Sequence, residues 1–161
     1  AKLRDIQRVS EPGERKPVDL KALLEKTDTL TRKRCEERAI SASFHCAEEL
    51  PSVTADDGRL QQVFLNLILN ATDAMGEGGE LRVVARETAD PQGVSIDFVD
   101  TGTGIDPDVM PRIFEPFVTT KEDGLGLGLY ISQSIVQEYG GRIQAENRPG
   151  EGTSFTVWLP S

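Results

Sequence analysis

Hydrophobic positions along this chain follow two rhythms. Leu20, Leu23, Leu24, Thr27 and Leu30 recur at i, i+3 and i+4, which predicts a helix over about 20–38 with Asp19 as its N-terminal cap. Leu60, Val63, Phe64, Leu67, Ala71 and Ala74 do the same over 58–75, where Asp57 is the expected cap. Leu65 and Leu69 lie on its far side, so both faces should be covered. A further helix is predicted over LYISQSIVQEY (129–139), stopped by Gly140 and Gly141, and a short one near 107–113. Alternation of apolar and polar residues takes over in SASFHCA (41–47), ELRVVARE (80–87), GVSIDFVD (93–100), RIQAEN (142–147) and TSFTVWLP (153–160), which read as strands. Leu81, Val83, Ala85, Val94, Ile96, Phe98, Phe155, Val157 and Leu159 form their inward sets. Strands mixed with helices and joined in hairpin-like pairs predict an α/β two-layer sandwich, with a mixed, mostly antiparallel sheet covered on one face by helices. Leu3, Ile6 and Val9 keep helical spacing until EPGERK interrupts it, so residues 1–16 read as a helix end and linker and 17–161 as the folded domain.

Composition narrows the function. A chain of 161 residues is one domain or slightly more. Eighteen Lys and Arg against 27 Asp and Glu leave a net charge of −9, which opposes phosphodiester backbones and anionic headgroups. Neither nucleic acid nor direct membrane contact is expected, and no apolar run approaches the ~20 residues of a membrane span. Cys35 and Cys46 are too few for a disulfide framework and no charged-then-apolar signal segment opens the sequence, so a cytoplasmic setting is expected. The single histidine, His45, abuts Cys46 without further ligands, and is expected to be a strand packing residue rather than a nucleophile or metal site.

Glycine is where chemistry concentrates, in clusters at 102–104, 124–128 and 140–152. Asp100 ends an apolar strand and runs into DTGTGI, where Gly102 and Gly104 put no side chain between the backbone and a planar ligand. An ionised carboxylate there accepts hydrogen bonds only, which suits the exocyclic amine of adenine; a plain strand-to-turn corner would use the same residues. The run GLGLGL (124–129) opens a helix, so its amides and the helix dipole can cradle phosphate, although a flexible loop entering a helix reads the same way. Neither G-x-x-x-x-G-K-[ST] nor G-x-G-x-x-G is present. At 100° per residue Asn66, Asn70 and Asp73 fall within ~60° of one another on a polar stripe of the 58–75 helix. Asn70 offers a neutral amide oxygen, and magnesium takes only one or two protein oxygens.

The order and spacing of LQQVFLNLILNATDAM (60–75), DTGTGI (100–105), IFEPFVTTK (113–121), GLGLGL (124–129) and GEGTSFTVWLP (150–160) resemble the asparagine, glycine and phenylalanine boxes of sensor histidine kinases over about residues 17–161. The resemblance implies the Bergerat fold, shared with type II topoisomerase B subunits, mismatch-repair ATPases and a large heat-shock chaperone family. By position it implies that Asp100 binds adenine over Gly102 and Gly104, that Asn70 coordinates Mg2+, and that Asn66, Asn70 and Lys121 serve catalysis. Phe114 and Phe117 resemble anchors of an ATP lid, and Lys121, Gly126 and Gly128 its phosphate-facing part. Asp73, Ile105, Gly124, Leu125, Leu127 and Thr153 complete the implied ATP/ADP contacts. Leu125 stands where a small hydroxyl residue is common, which removes a side-chain donor from that turn. NATDAM and PFVTTK are most like the nitrogen-regulation and dicarboxylate-sensing kinases.

The phosphoacceptor motif, a histidine followed by an acidic residue on a dimerisation helix, has no counterpart in His45-Cys46-Ala47. The resemblance therefore implies the catalytic half of a larger kinase, monomeric in isolation, that presents the γ-phosphate of Mg-ATP to a histidine on a separate dimerisation domain and serves a response regulator indirectly. The alternatives are a same-fold clamp that hydrolyses ATP and a nucleotide-binding module without transfer. Position 66 separates the first, because in the hydrolytic relatives it resembles a glutamate able to take a proton from water.

Overall fold

Two aspartates start the first two helices. In the computed structural model, which describes residues 14–118, 128–148 and 152–161, helix α1 (Leu20–Glu37) begins where Asp19 accepts a hydrogen bond from the amide of Ala22 at 3.2 Å. Helix α2 (Asp57–Met75) is capped by Asp56, not by Asp57 as expected. Asp56 follows extended backbone, so its carboxylate can turn onto the amides of Gly58 (2.8 Å) and Arg59 (3.3 Å), whereas Asp57 is already helical. Helix α3 spans Gly128–Glu138.

The strands are β1 (Lys16–Val18), β2 (Ile40–Cys46), β3 (Val53–Ala55), β4 (Gly79–Ala89), β5 (Gln92–Asp100), β6 (Arg142–Arg148) and β7 (Gly152–Pro160). Five form the main sheet in the order β2-β4-β5-β7-β6, with β2 parallel to β4 and every other pair antiparallel. β1 and β3 make a separate two-stranded sheet. Three-residue strands are too short to show alternation, and Lys16, read from the sequence as linker, pairs with Ala55. The helix expected near 107–113 is a single 3-10 turn, Met110–Arg112, because Pro107 and Pro111 donate no amide hydrogen. The helix expected at residues 1–10 lies outside the described residues.

The core lies between the helices and one face of the sheet. Leu60, Val63, Phe64, Leu67 and Ile68 of α2 are buried against Leu81, Val83, Ile96 and Phe98, with the Phe64 and Phe98 rings 5.9 Å apart. Truncating such a core phenylalanine costs ~3–5 kcal/mol. On α1 the buried stripe runs through Leu24, Thr27, Thr31 and Cys35, while Leu30, expected inside, is 56% exposed. The threonines tolerate burial because their hydroxyls donate to the Leu23 and Thr27 carbonyls. His45 is exposed on the opposite face of β2 from half-buried Cys46 and reaches Ser43 Oγ at 3.3 Å. Neighbours in a strand point to opposite faces, so the two cannot act together, and burial pushes the Cys46 thiol up, away from the thiolate. Among the described residues no helix is long and apolar enough to cross a membrane.

Candidate functional site

The register of the sheet brings the site together. Leu81, Asp100, Thr153 and Asn147 lie side by side on β4, β5, β7 and β6 in one cross-strand row on the helix-facing side. Three polar residues thus end an otherwise apolar face. Asp100 is 2% exposed. Its Oδ1 accepts from the amides of Gly102 (2.9 Å) and Thr153 (3.3 Å), and among the described residues nothing else bonds its carboxylate. Burial raises the Asp100 pKa, while the two amides, which favour the charged form, pull it back.

The chain after Asp100 packs against the last turn of α2. Thr103 donates its amide to the Ala74 carbonyl at 3.3 Å, and a Cβ at Gly102 would fall 2.7 Å from that carbonyl oxygen. Only glycine allows this approach, which sets the turn beside the helix that carries Asn66 and Asn70. A Cβ at Gly152 would collide with the Asp100 carbonyl oxygen, and its φ of +110° is one L side chains rarely adopt. Ile105 is fastened at both backbone groups to Asn147, whose Oδ1 accepts from the Ile105 amide at 2.8 Å and whose amide donates to the Ile105 carbonyl. The Thr153 hydroxyl reaches the same Oδ1 at 3.4 Å.

Asn66 faces another way. Its Nδ2 donates to the Gly128 carbonyl (3.3 Å) and to Ser132 Oγ (3.2 Å), and its Oδ1 accepts from Gln62 Nε2 at 3.1 Å. It therefore pins α2 to the start of α3. Asn70 is half-buried one turn further along the same stripe. Asp73 pairs with Arg34 of α1 and, at 3.3 Å, with Arg38, the C-terminal cap of that helix. Arg34 also bonds the Thr72 hydroxyl at 2.8 Å, so two guanidinium groups clamp the end of α2. Phe114 is half-buried edge-on to Phe155, ring centroids 6.4 Å apart, whereas Phe117 is 73% exposed at a φ of +68°. Lys121, Gly124, Leu125, Gly126 and Leu127 lie outside the described residues.

Asp100, Gly102, Thr153, Asn147 and Ile105 thus form one hydrogen-bonded group with Gly104 packed against Asn147, and the Thr103–Ala74 bond joins it to the helix of Asn66 and Asn70. Sequence reasoning did not name Asn147, Ser132 or the two arginines, and held Gly152 only as part of the GEGTSFTVWLP segment. Asn147 had a signal: alternation in RIQAEN puts it on the face of Ile143 and Ala145, a polar end to an apolar run. The arrangement offers a carboxyl group with one oxygen held by two amides, beside a backbone platform at the sheet end and a helix that carries amide side chains.

The family described as histidine kinase-, DNA gyrase B-, and HSP90-like ATPase matches residues 55–161. Sensor histidine kinase ZraS of Escherichia coli K12 is 42% identical over 143 residues, covering 89% of this chain and 30% of ZraS. The chain thus spans about a third of the length of such relatives. Among solved structures, the nucleotide-free catalytic domain of histidine kinase ThkA superposes with a TM-score of 0.83 at 31% identity, covering 92% of this chain and 96% of that one. Full-length ShkA in complex with AMPPNP gives 0.83 at 33% identity over 96% of this chain and 33% of that one. The chain belongs to the histidine kinase-, DNA gyrase B- and HSP90-like ATPase family, and within it is similar to the catalytic domains of sensor histidine kinases.

Proposed function

We propose that the chain is the ATP-binding catalytic domain of a two-component sensor histidine kinase, which presents the γ-phosphate of Mg-ATP to a histidine on a separate dimerisation domain, from which a response regulator is served. The observation that carries this reading is Asn66. At the position where a hydrolytic relative needs a carboxylate base, this chain has an amide bonded on both sides, to Gln62 and to α3. An amide takes no proton from water, and a neutral imidazole needs no strong base to attack phosphorus.

The other residues fit the same role. Ionised Asp100 has Oδ1 taken by two amides and Oδ2 left to accept from the adenine amine, with Gly102 and Gly104 beneath the base. Asn70 suits magnesium, which keeps most of its shell as water and phosphate oxygen and would supply charge neutralisation at the phosphates. In phosphoryl transfer the protein mainly positions groups and balances charge, which a base pocket, an asparagine helix and Lys121 with the 124–128 glycines can do. Free thiols at Cys35 and Cys46 accord with a cytoplasmic setting. Incubated with Mg-ATP alone, the chain should bind nucleotide, release phosphate negligibly and leave itself unlabelled. Rapid phosphate release, abolished in Asn66→Ala, would favour the hydrolytic clamp.

A further inference from the structure

We propose that Asn147 is a positioning residue for base selection: it fixes the Gly104–Ile105 backbone so that Asp100 meets an amine rather than a carbonyl on the bound purine. The inference rests on the nucleotide-binding reading above. The segment leaving β5 is held at two points. Asp100 Oδ1 ties down its start through the Gly102 amide at 2.9 Å, and Asn147 ties down its end through both backbone groups of Ile105. Between those points the Thr103 amide bonds the Ala74 carbonyl at 3.3 Å and the Thr103 hydroxyl bonds the Gly104 carbonyl at 3.4 Å.

The same row of the sheet supplies both ties. Asn147 is the register partner of Thr153, and Thr153 is that of Asp100. The Thr153 amide bonds Asp100 while its hydroxyl reaches Asn147 Oδ1, so the two ends of the segment are referenced to one residue of β7. A Cβ at Gly104 would lie 3.2 Å from Asn147 Oδ1, which puts the asparagine directly against the platform.

Only a carboxamide serves both Ile105 groups at once. Aspartate keeps the acceptor and sets a negative charge against the Ile105 carbonyl, and alanine leaves both groups without a side-chain partner. Discrimination of an amine from a carbonyl depends on holding the acceptor and the platform in fixed relation, because slack lets the base shift or a water intervene. Asn147 is half-buried, so water can replace its bonds, and its loss should change selection more than stability.

The test compares ADP with inosine diphosphate, which differs in carrying a carbonyl where adenine has its amine. Calorimetric titration in the presence of magnesium gives the affinity ratio. The unmodified chain should favour ADP by about tenfold or more. In Asn147→Ala the ratio should fall to within about threefold, mostly through weaker ADP binding. If the unmodified chain fails to bind ADP or shows no preference, the nucleotide-domain reading itself fails. A preserved preference in Asn147→Ala, with both ligands weakened equally, would make Asn147 merely structural and overturn the inference alone. Should that variant not fold, Asn147→Asp is held to the same criterion. Independently, the Ile105 amide of the unmodified chain should exchange slowly even without nucleotide; exchange at the rate of an open loop amide would also overturn the proposal.

Discussion

On the proposed reading the site has a base end and a phosphate end, and the two are built differently. At the base end Asp100, Thr153 and Asn147 share a row of one sheet, and the turn that follows Asp100 is bonded to that row at both its ends and to α2 through Ala74. At the phosphate end the described groups sit on one helix, packed on the sheet by its apolar face and tied to its helical neighbours by side chains: Asn66 to Gly128 and Ser132 of α3, Asp73 to Arg34 of α1 and to Arg38 at the C-terminal cap of α1. A sheet row fixes relative positions through the ladder itself, so it suits recognition of an unchanging base. The side-chain ties between helices are worth ~1 kcal/mol per bond and exchange more readily than a ladder, which on the proposed reading suits the end where a phosphate is handed on. On that reading the difference gives selectivity to the sheet and transfer to the helices.

The largest effect should come from breaking the sheet row. Gly152→Ala puts a Cβ into the Asp100 carbonyl at a backbone angle alanine resists. Unfolding free energy measured by urea titration should drop by about 3 kcal/mol, with ADP binding lost in parallel. Asp100→Ala comes next. It removes the charge-assisted acceptor and should weaken ADP binding by about one to two orders of magnitude, or ~1.5–3 kcal/mol, in calorimetry.

The pH dependence of binding sharpens the same point. Burial raises the Asp100 pKa, so the buried carboxylate disfavours the folded state above that pKa, and this cost disappears as pH falls through it. Binding moves the opposite way, because the amine needs the ionised form. ADP affinity should therefore begin to fall on acidification at a higher pH than an ordinary aspartate would produce. Asp100→Asn should bind weakly and lack that acid limb.

The smallest effect tests the helix side. Ser132→Ala removes one buried hydroxyl from the Asn66 amide and should lower stability by about 1 kcal/mol. The preference for ADP over inosine diphosphate should not change. A change in that preference would mean that base selection is not confined to the sheet.

Much of this was legible in the sequence, for reasons that also explain what was not. The inward sets of β4, β5 and β7 follow from a period of two, and the α2 stripe from 3.6, because burial on one face is what those periods encode. Leu30 and Thr31 exchange roles on α1 because a hydroxyl bonded to its own helix passes as apolar, which polarity alone does not reveal. In the pair Asp56-Asp57 either residue can cap, and the choice depends on where β3 releases the chain. Asp100, Gly102 and Gly104 could be found because an acid before alternating glycines is unusual locally. Asn147 and Gly152 gain their meaning only from strand register, and the arginine partners of Asp73 from helix packing across more than thirty positions of sequence.

The measurement that bears most directly on the division of labour is transfer of label from γ-labelled ATP to a histidine-bearing dimerisation domain supplied separately from the parent kinase. The account predicts magnesium-dependent labelling of that domain's histidine by the unmodified chain, strong loss of labelling in Asp100→Ala and Asn70→Ala, and little free phosphate. No transfer to the added domain, together with steady phosphate release that Asn66→Ala abolishes, would contradict it.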